Sequence, residues 1–102
     1  VLVIDDAPDV LAVLRAAVER RGDSFHDAGD VEGGIERFSR SRPDVVFCDL
    51  FLGGAKGFDF LARLHDIDPR VPIVIITGEQ SSDLAILSNA RGAFDYLSKP
   101  LN

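Results

Sequence analysis

Methionine and tryptophan are absent from this chain of 102 residues, and cysteine occurs once. A natural translation product begins with methionine, so the chain is expected to be trimmed, at its front at least. A lone cysteine cannot close an internal disulfide, which fits a reducing cytoplasm and argues against a disulfide-stapled scaffold. No apolar run approaches the ~20 residues of a membrane-spanning helix, and no signal-peptide pattern opens the chain. Basic residues are outnumbered 11 to 17, and the formal charge of -6 argues against nonspecific attraction to nucleic acid or anionic lipid. No repeat, low-complexity tract or linker interrupts the sequence. With 46% apolar and 27% charged residues, the composition is that of one ordinary globular domain, residues 1–102, with a single core.

What is present centres on one stretch. Val45, Val46, Phe47 and Cys48 form a continuous apolar run, as a strand covered on both faces does. Asp49 follows directly, and then a glycine-rich loop with Gly53, Gly54 and Gly57. A carboxylate at the end of a core strand is costly unless something compensates it. The start of the chain repeats the pattern: Val1-Leu2-Val3-Ile4 runs into Asp5-Asp6.

Between these strands the periodicity changes. Pro8 suits a first helical turn, and Val10, Leu14, Ala17 and Val18 recur at helical spacing with Leu11 beside them. Arg20 and Arg21 suit the last turn, and Gly22 can cap it. Residues 24–28 read as a short, half-polar second strand. Asp30 can N-cap a second helix whose Ile35 and Phe38 face inward, although Gly33 and Gly34 each cost it roughly 1 kcal/mol relative to Ala. Arg42-Pro43 ends that helix. Phe58, Leu61 and Leu64 mark a third. Ile73-Val74-Ile75-Ile76-Thr77 is a fourth strand followed by Gly78. Ser81 or Ser82 can cap a fourth helix that closes at Arg91-Gly92. Residues 94–98 form a fifth strand ending on Lys99-Pro100.

Strands alternating with helices predict a parallel sheet wound on both faces. In such sheets ligands sit beyond the carboxyl ends of the strands. Those ends carry Asp5 and Asp6, Asp49, Thr77 with Gly78, and Lys99, above an apolar interior. Three neighbouring carboxylates repel one another, and a hard divalent cation is the usual remedy. Mg²⁺ prefers one or two carboxylates with waters and phosphate oxygens. A lysine and a hydroxyl opposite the metal suit an incoming phosphoryl group, whose transfer needs mainly positioning and charge neutralisation. A carboxylate in line with it can act as nucleophile.

This constellation resembles the receiver domain of two-component response regulators, over the whole chain. The resemblance rests on Asp5-Asp6, Asp49, Gly57 eight residues later, Thr77-Gly78 and Lys99-Pro100, in order and at these spacings. It implies a flavodoxin-like, doubly wound five-stranded parallel sheet of order 2-1-3-4-5, with the final helix missing from this chain. It implies that Asp49 is the phosphoacceptor, taking a phosphoryl group from a phosphohistidine of a sensor histidine kinase or phosphotransfer protein. Asp6 would then be a direct Mg²⁺ ligand, Asp5 an acid acting through water, and the Phe51 carbonyl a further ligand. Thr77 and the Gly78 N–H would bind phosphoryl oxygens, and Lys99 would pair with the phosphoryl group. Tyr96 would be an aromatic switch moving with Thr77, and the output a shift between two conformations. Self-catalysed phosphoryl acceptance and slow autodephosphorylation, in the cytoplasm, would be the only chemistry. An output domain or a second copy would be the further partner, with no direct nucleic-acid binding by this domain and no membrane contact.

Two departures from the family pattern stand out. Gly53 replaces a frequent proline, and Phe51 places a bulky ring beside the acceptor. That ring is expected to screen the acyl phosphate from water, so Phe51→Asn should speed dephosphorylation. Rival readings are a pseudo-receiver that binds a partner without phosphotransfer, and a small Mg²⁺-dependent phosphohydrolase. A plainer alternative makes Asp5 and Asp6 a helix N-cap and its neighbour. Cys48 reads as a core hydrophobe, and His26 and His65 as surface residues without metal-ligand spacing. Gly53-Gly54-Ala55-Lys56-Gly57 lacks the hydroxyl residue of a P-loop.

Overall fold

Side-chain alternation assigns the two faces of the sheet. Leu2 and Ile4, Val46 and Cys48, and Ile73 and Ile75 share one buried cluster with Phe38, Leu61 and Leu64. Strand positions of one parity therefore meet the second and third helices, as the period of two requires. Val3, Phe47, Val74 and Ile76 have the other parity. In the computed structural model, residues 1–49, 57–78 and 95–98 are described, with the backbone alone at 57–60, 96 and 98.

The elements run β1 (Leu2–Ile4), α1 (Pro8–Arg20), β2 (His26–Ala28), α2 (Val31–Ser41), β3 (Val46–Asp49), α3 (Gly57–Ile67), β4 (Ile73–Thr77) and β5 (Asp95–Ser98). All five strands are parallel, in the order β2-β1-β3-β4-β5. This is the order that the resemblance implied. The fourth helix expected over residues 81–91 lies outside the described residues, as do Phe51, Lys99 and Pro100. Among the described residues, no helix is long and apolar enough to cross a membrane.

Helix ends follow from local chemistry. Pro8 opens α1 without a side-chain cap on Ala7. Its far end closes at Gly22 (φ +82), where the Gly22 and Asp23 N–H groups donate to the Glu19 and Val18 carbonyls. The N–H of Gly33 donates to the Asp30 carboxylate at 2.6 Å, which confirms Asp30 as the N-cap of α2. That contact also explains Gly33: a Cβ there would lie 2.7 Å from the Asp30 Oδ1. The helix ends on Arg42 in the left-handed region (φ 48, ψ 60), with Pro43 barring continuation.

The periodic apolar residues of α1 lie at different depths. Val10 and Val18 are buried, Leu11 and Leu14 half-buried, and Ala17 exposed. Leu14, Ala17, Val18, Val45 and Phe47 line an apolar groove between α1 and the sheet face that α2 and α3 do not cover.

Candidate functional site

Register builds the site. Ile4 pairs with Cys48 on the neighbouring strand, so Asp5 and Asp49 leave the sheet side by side. Asp5 is fully buried and Asp49 nearly so, whereas Asp6 is exposed. The Asp5 N–H still donates to the Ala28 carbonyl of β2 at 3.0 Å, which anchors its backbone. The Asp5 Oδ1 accepts a hydrogen bond from the Ala7 N–H at 2.8 Å. Neither acid is the N-cap of α1. That position is Ala7, which makes no side-chain capping bond, so the plainer reading of Asp5 and Asp6 is set aside.

One carboxylate oxygen from each of Asp5, Asp6 and Asp49 can be chosen so that all three lie within 4.8 Å of one another. Two oxygens bound to one ion lie at most about 4.2 Å apart for Mg²⁺ and about 5 Å for Ca²⁺, twice the usual metal–oxygen distance. The group therefore fits a hard divalent cation. Such an ion could be held by these acids directly, with a slight closure, or with an acid acting through a water.

Across the sheet, Asp49 is in register with Ile76, and Thr77 with Ser98. Thr77 thus stands one step beyond Asp49 on the adjoining strand, and it is fully buried. Gly78 is exposed and would carry a Cβ into open space. Cys48 lies beneath the site, wholly buried, with its thiol 3.6 Å from the Asp49 carbonyl oxygen. Burial, then the charges of Asp49 and Asp5, push the thiol up to about 12. It remains protonated at neutral pH and packs as the core hydrophobe expected from its place in the strand. His26 and His65 are half-buried, and neither joins the acid cluster.

The structure brings together Asp5, Asp6 and Asp49, and sets Thr77 at the end of the strand beside Asp49, with Gly78 directly after it. Phe51, Lys99 and the Tyr96 side chain lie outside the described residues. The Ala7 amide escaped the sequence reading because a backbone donor leaves no mark in residue type.

The family model of the response regulator receiver domain matches residues 1–102. The nitrogen assimilation regulatory protein NtrX of Azorhizobium caulinodans is 32% identical over 104 residues, covering 100% of this chain and 23% of that protein. The DNA-binding transcriptional regulator NtrC of Escherichia coli K12 is 30% identical over 105 residues, covering 100% of this chain and 22% of that protein. The chain thus spans about a quarter of the length of these relatives. Among solved structures, the receiver domain of NtrX from Brucella abortus superposes with a TM-score of 0.89 at 27% identity, covering 99% of this chain and 86% of that one. A response regulator from Burkholderia pseudomallei, solved with a phosphorylated aspartic acid, a calcium ion and citrate, gives a TM-score of 0.88 at 32% identity, covering 99% and 59%.

Proposed function

Because the chain belongs to the response regulator receiver family, we propose that Asp49 is its phosphoacceptor and that Asp5, Asp6 and Asp49 hold the Mg²⁺ that acceptance requires. The observation that carries this reading is the gathering of the three carboxylates within 4.8 Å at the rim of the sheet. Domains of this family are signalling modules rather than classical enzymes.

In the proposed transfer, a carboxylate oxygen of Asp49 attacks the phosphorus of a phosphohistidine on a sensor kinase or phosphotransfer protein. The P–N bond breaks, its electron pair stays on the imidazole nitrogen, and an acyl phosphate forms on Asp49. Bound Mg²⁺ supplies neutralisation of the carboxylates and of the phosphoryl oxygens. Thr77 and the Gly78 N–H receive the phosphoryl oxygens, and Lys99 pairs with the group's charge. The Phe51 carbonyl would be a further ligand of the ion, and Tyr96 follows Thr77 as the switch. Slow self-hydrolysis of the acyl phosphate resets the domain. The short span of the chain against its relatives suits attachment to an output module, with a second copy as the alternative partner. A cytoplasmic setting suits a kinase donor. A partner-binding module without phosphotransfer, or a phosphohydrolase, is not favoured by the family match.

Incubating the chain with Mg²⁺ and a small acyl phosphate, then weighing it intact, tests the reading. One phosphoryl group per chain is expected, absent in Asp49→Asn and without Mg²⁺. An unlabelled wild-type chain, or continued turnover of the donor, overturns it.

A further inference from the structure

We propose that the backbone amide of Ala7 is a positioning group for the cation: by holding one oxygen of Asp5, it restricts that acid to a single oxygen toward the ion. The proposal rests on the cation site of the preceding section.

The amide is available for this work. The hydrogen-bond ladder of α1 starts with the Leu11 N–H donating to the Ala7 carbonyl at 3.1 Å, so the helix uses the oxygen of Ala7 and leaves its N–H over. Pro8 keeps Ala7 itself out of the helix. A residue before proline is pushed out of the helical region, and Ala7 is extended at φ -86, ψ 116. The N–H left over by the helix donates to the Asp5 Oδ1 at 2.8 Å.

The acid at the receiving end has little freedom. Asp5 is fully buried, and its own N–H is committed to the Ala28 carbonyl at 3.0 Å. A hydrogen bond to one carboxylate oxygen therefore helps to set the rotation of the group. One oxygen from each acid is enough to form the cluster. Partners that orient a metal-binding group in this way change metal affinity by about 10–100-fold when they are removed. The sequence Asp5-Asp6-Ala7 is accordingly read as one device, in which the amide aims a carboxylate and the carboxylate serves the ion.

The test measures the Mg²⁺ dissociation constant of the unphosphorylated chain by NMR titration, with no phosphoryl donor present. Ala7→Pro removes the N–H, and Ala7→Gly is the conservative variant that keeps it. Ala7→Pro is expected to weaken Mg²⁺ about tenfold, and Ala7→Gly to retain the wild-type affinity within about twofold. In an Asp5→Ala background, Ala7→Pro should bring no further loss, because the amide acts through Asp5. Unchanged affinity in Ala7→Pro, or the same loss with and without Asp5, overturns the proposal. Should Ala7→Pro not fold, amide exchange decides: the Ala7 N–H is expected to be protected in the wild type and to lose that protection in Asp5→Ala. Equal exchange in the two chains overturns it. Failure of acyl phosphate labelling would sink the phosphoacceptor reading and leave these binding results standing, so the two can be told apart.

Discussion

Ile4 and Cys48 are register partners on neighbouring parallel strands, and that pairing delivers Asp5 and Asp49 to the same level of the same rim. Residues 44 positions apart in the chain become neighbours through the pairing of β1 with β3. Asp6 joins them from the start of the following loop. The rest of the sheet supplies a dry, apolar support: Val3, Ile4, Val46, Cys48, Ile75 and Ile76 are all buried, each large aliphatic side chain contributing about 1.5–3 kcal/mol. The site is therefore negative charge gathered on a rigid foundation.

That gathering has a cost in the absence of metal. Unit like charges at about 4 Å repel by about 1 kcal/mol even with the screening of bulk water, and 1 kcal/mol moves the midpoint of a domain this size by about 4–8 °C. Asp6→Asn should raise the metal-free melting temperature by several degrees at low salt, and should reduce the further rise that Mg²⁺ brings. A lower metal-free melting temperature would count against close apposition of the acids.

The extent to which the sequence foretold this differs from element to element. β4 matched at both ends, because five residues of high β propensity lie between Pro72 and Gly78. β2 proved shorter than residues 24–28, as an edge strand with half-polar sides gives periodicity little to work on. The spacing of α1 located its buried stripe but could not show how far the stripe is covered: Ala17 keeps the helical spacing and is exposed. The acids of the site were legible because strand ends are legible. The amide that aims Asp5 was not, since any non-proline residue can provide it.

Gly33 shows propensity and capping in opposition. Alanine is better than glycine inside a helix by about 1 kcal/mol, yet its Cβ would sit 2.7 Å from the Asp30 Oδ1 that caps α2. Gly33→Ala should therefore lower the melting temperature in the wild-type background. With the cap removed by Asp30→Ala, itself costing about 1 kcal/mol, the same change should become neutral or stabilising. Additive effects in thermal melts of the double variant would contradict the steric account.

Arg42 occupies a left-handed conformation at the end of α2, where a side chain costs about 1–2 kcal/mol. Arg42→Gly relieves that cost, against the greater freedom glycine has in the unfolded chain. A net gain of roughly 0.5–1 kcal/mol is expected in urea denaturation, with no change in Mg²⁺ affinity. A loss of stability would show that the arginine side chain makes up for its backbone.

Cys48 predicts a pH dependence with a definite sign. Its thiol, ordinarily near 9.0, is pushed up to about 12 by burial and by the charges of Asp49 and Asp5. Between those values the unfolded chain loses the proton while the folded chain keeps it. The contribution of Cys48 is thus fully present below pH 9 and declines as pH rises toward 12, by up to about 1.4 kcal/mol per pH unit. Cys48→Ala should be less stable at neutral pH through the cavity it leaves, but should show a shallower fall of stability above pH 9. Parallel alkaline curves for the two chains would remove the thiol from the account.

The most direct test of a shared cation site is an NMR titration of the metal-free chain with Mg²⁺, following the amides of Asp5, Asp6 and Asp49. The account predicts that all three shift together with one dissociation constant and saturate at one ion per chain, and that Asp49→Ala weakens the response at residues 5 and 6 as well. Independent titration of the three positions, or no saturable shift at any of them, would contradict it.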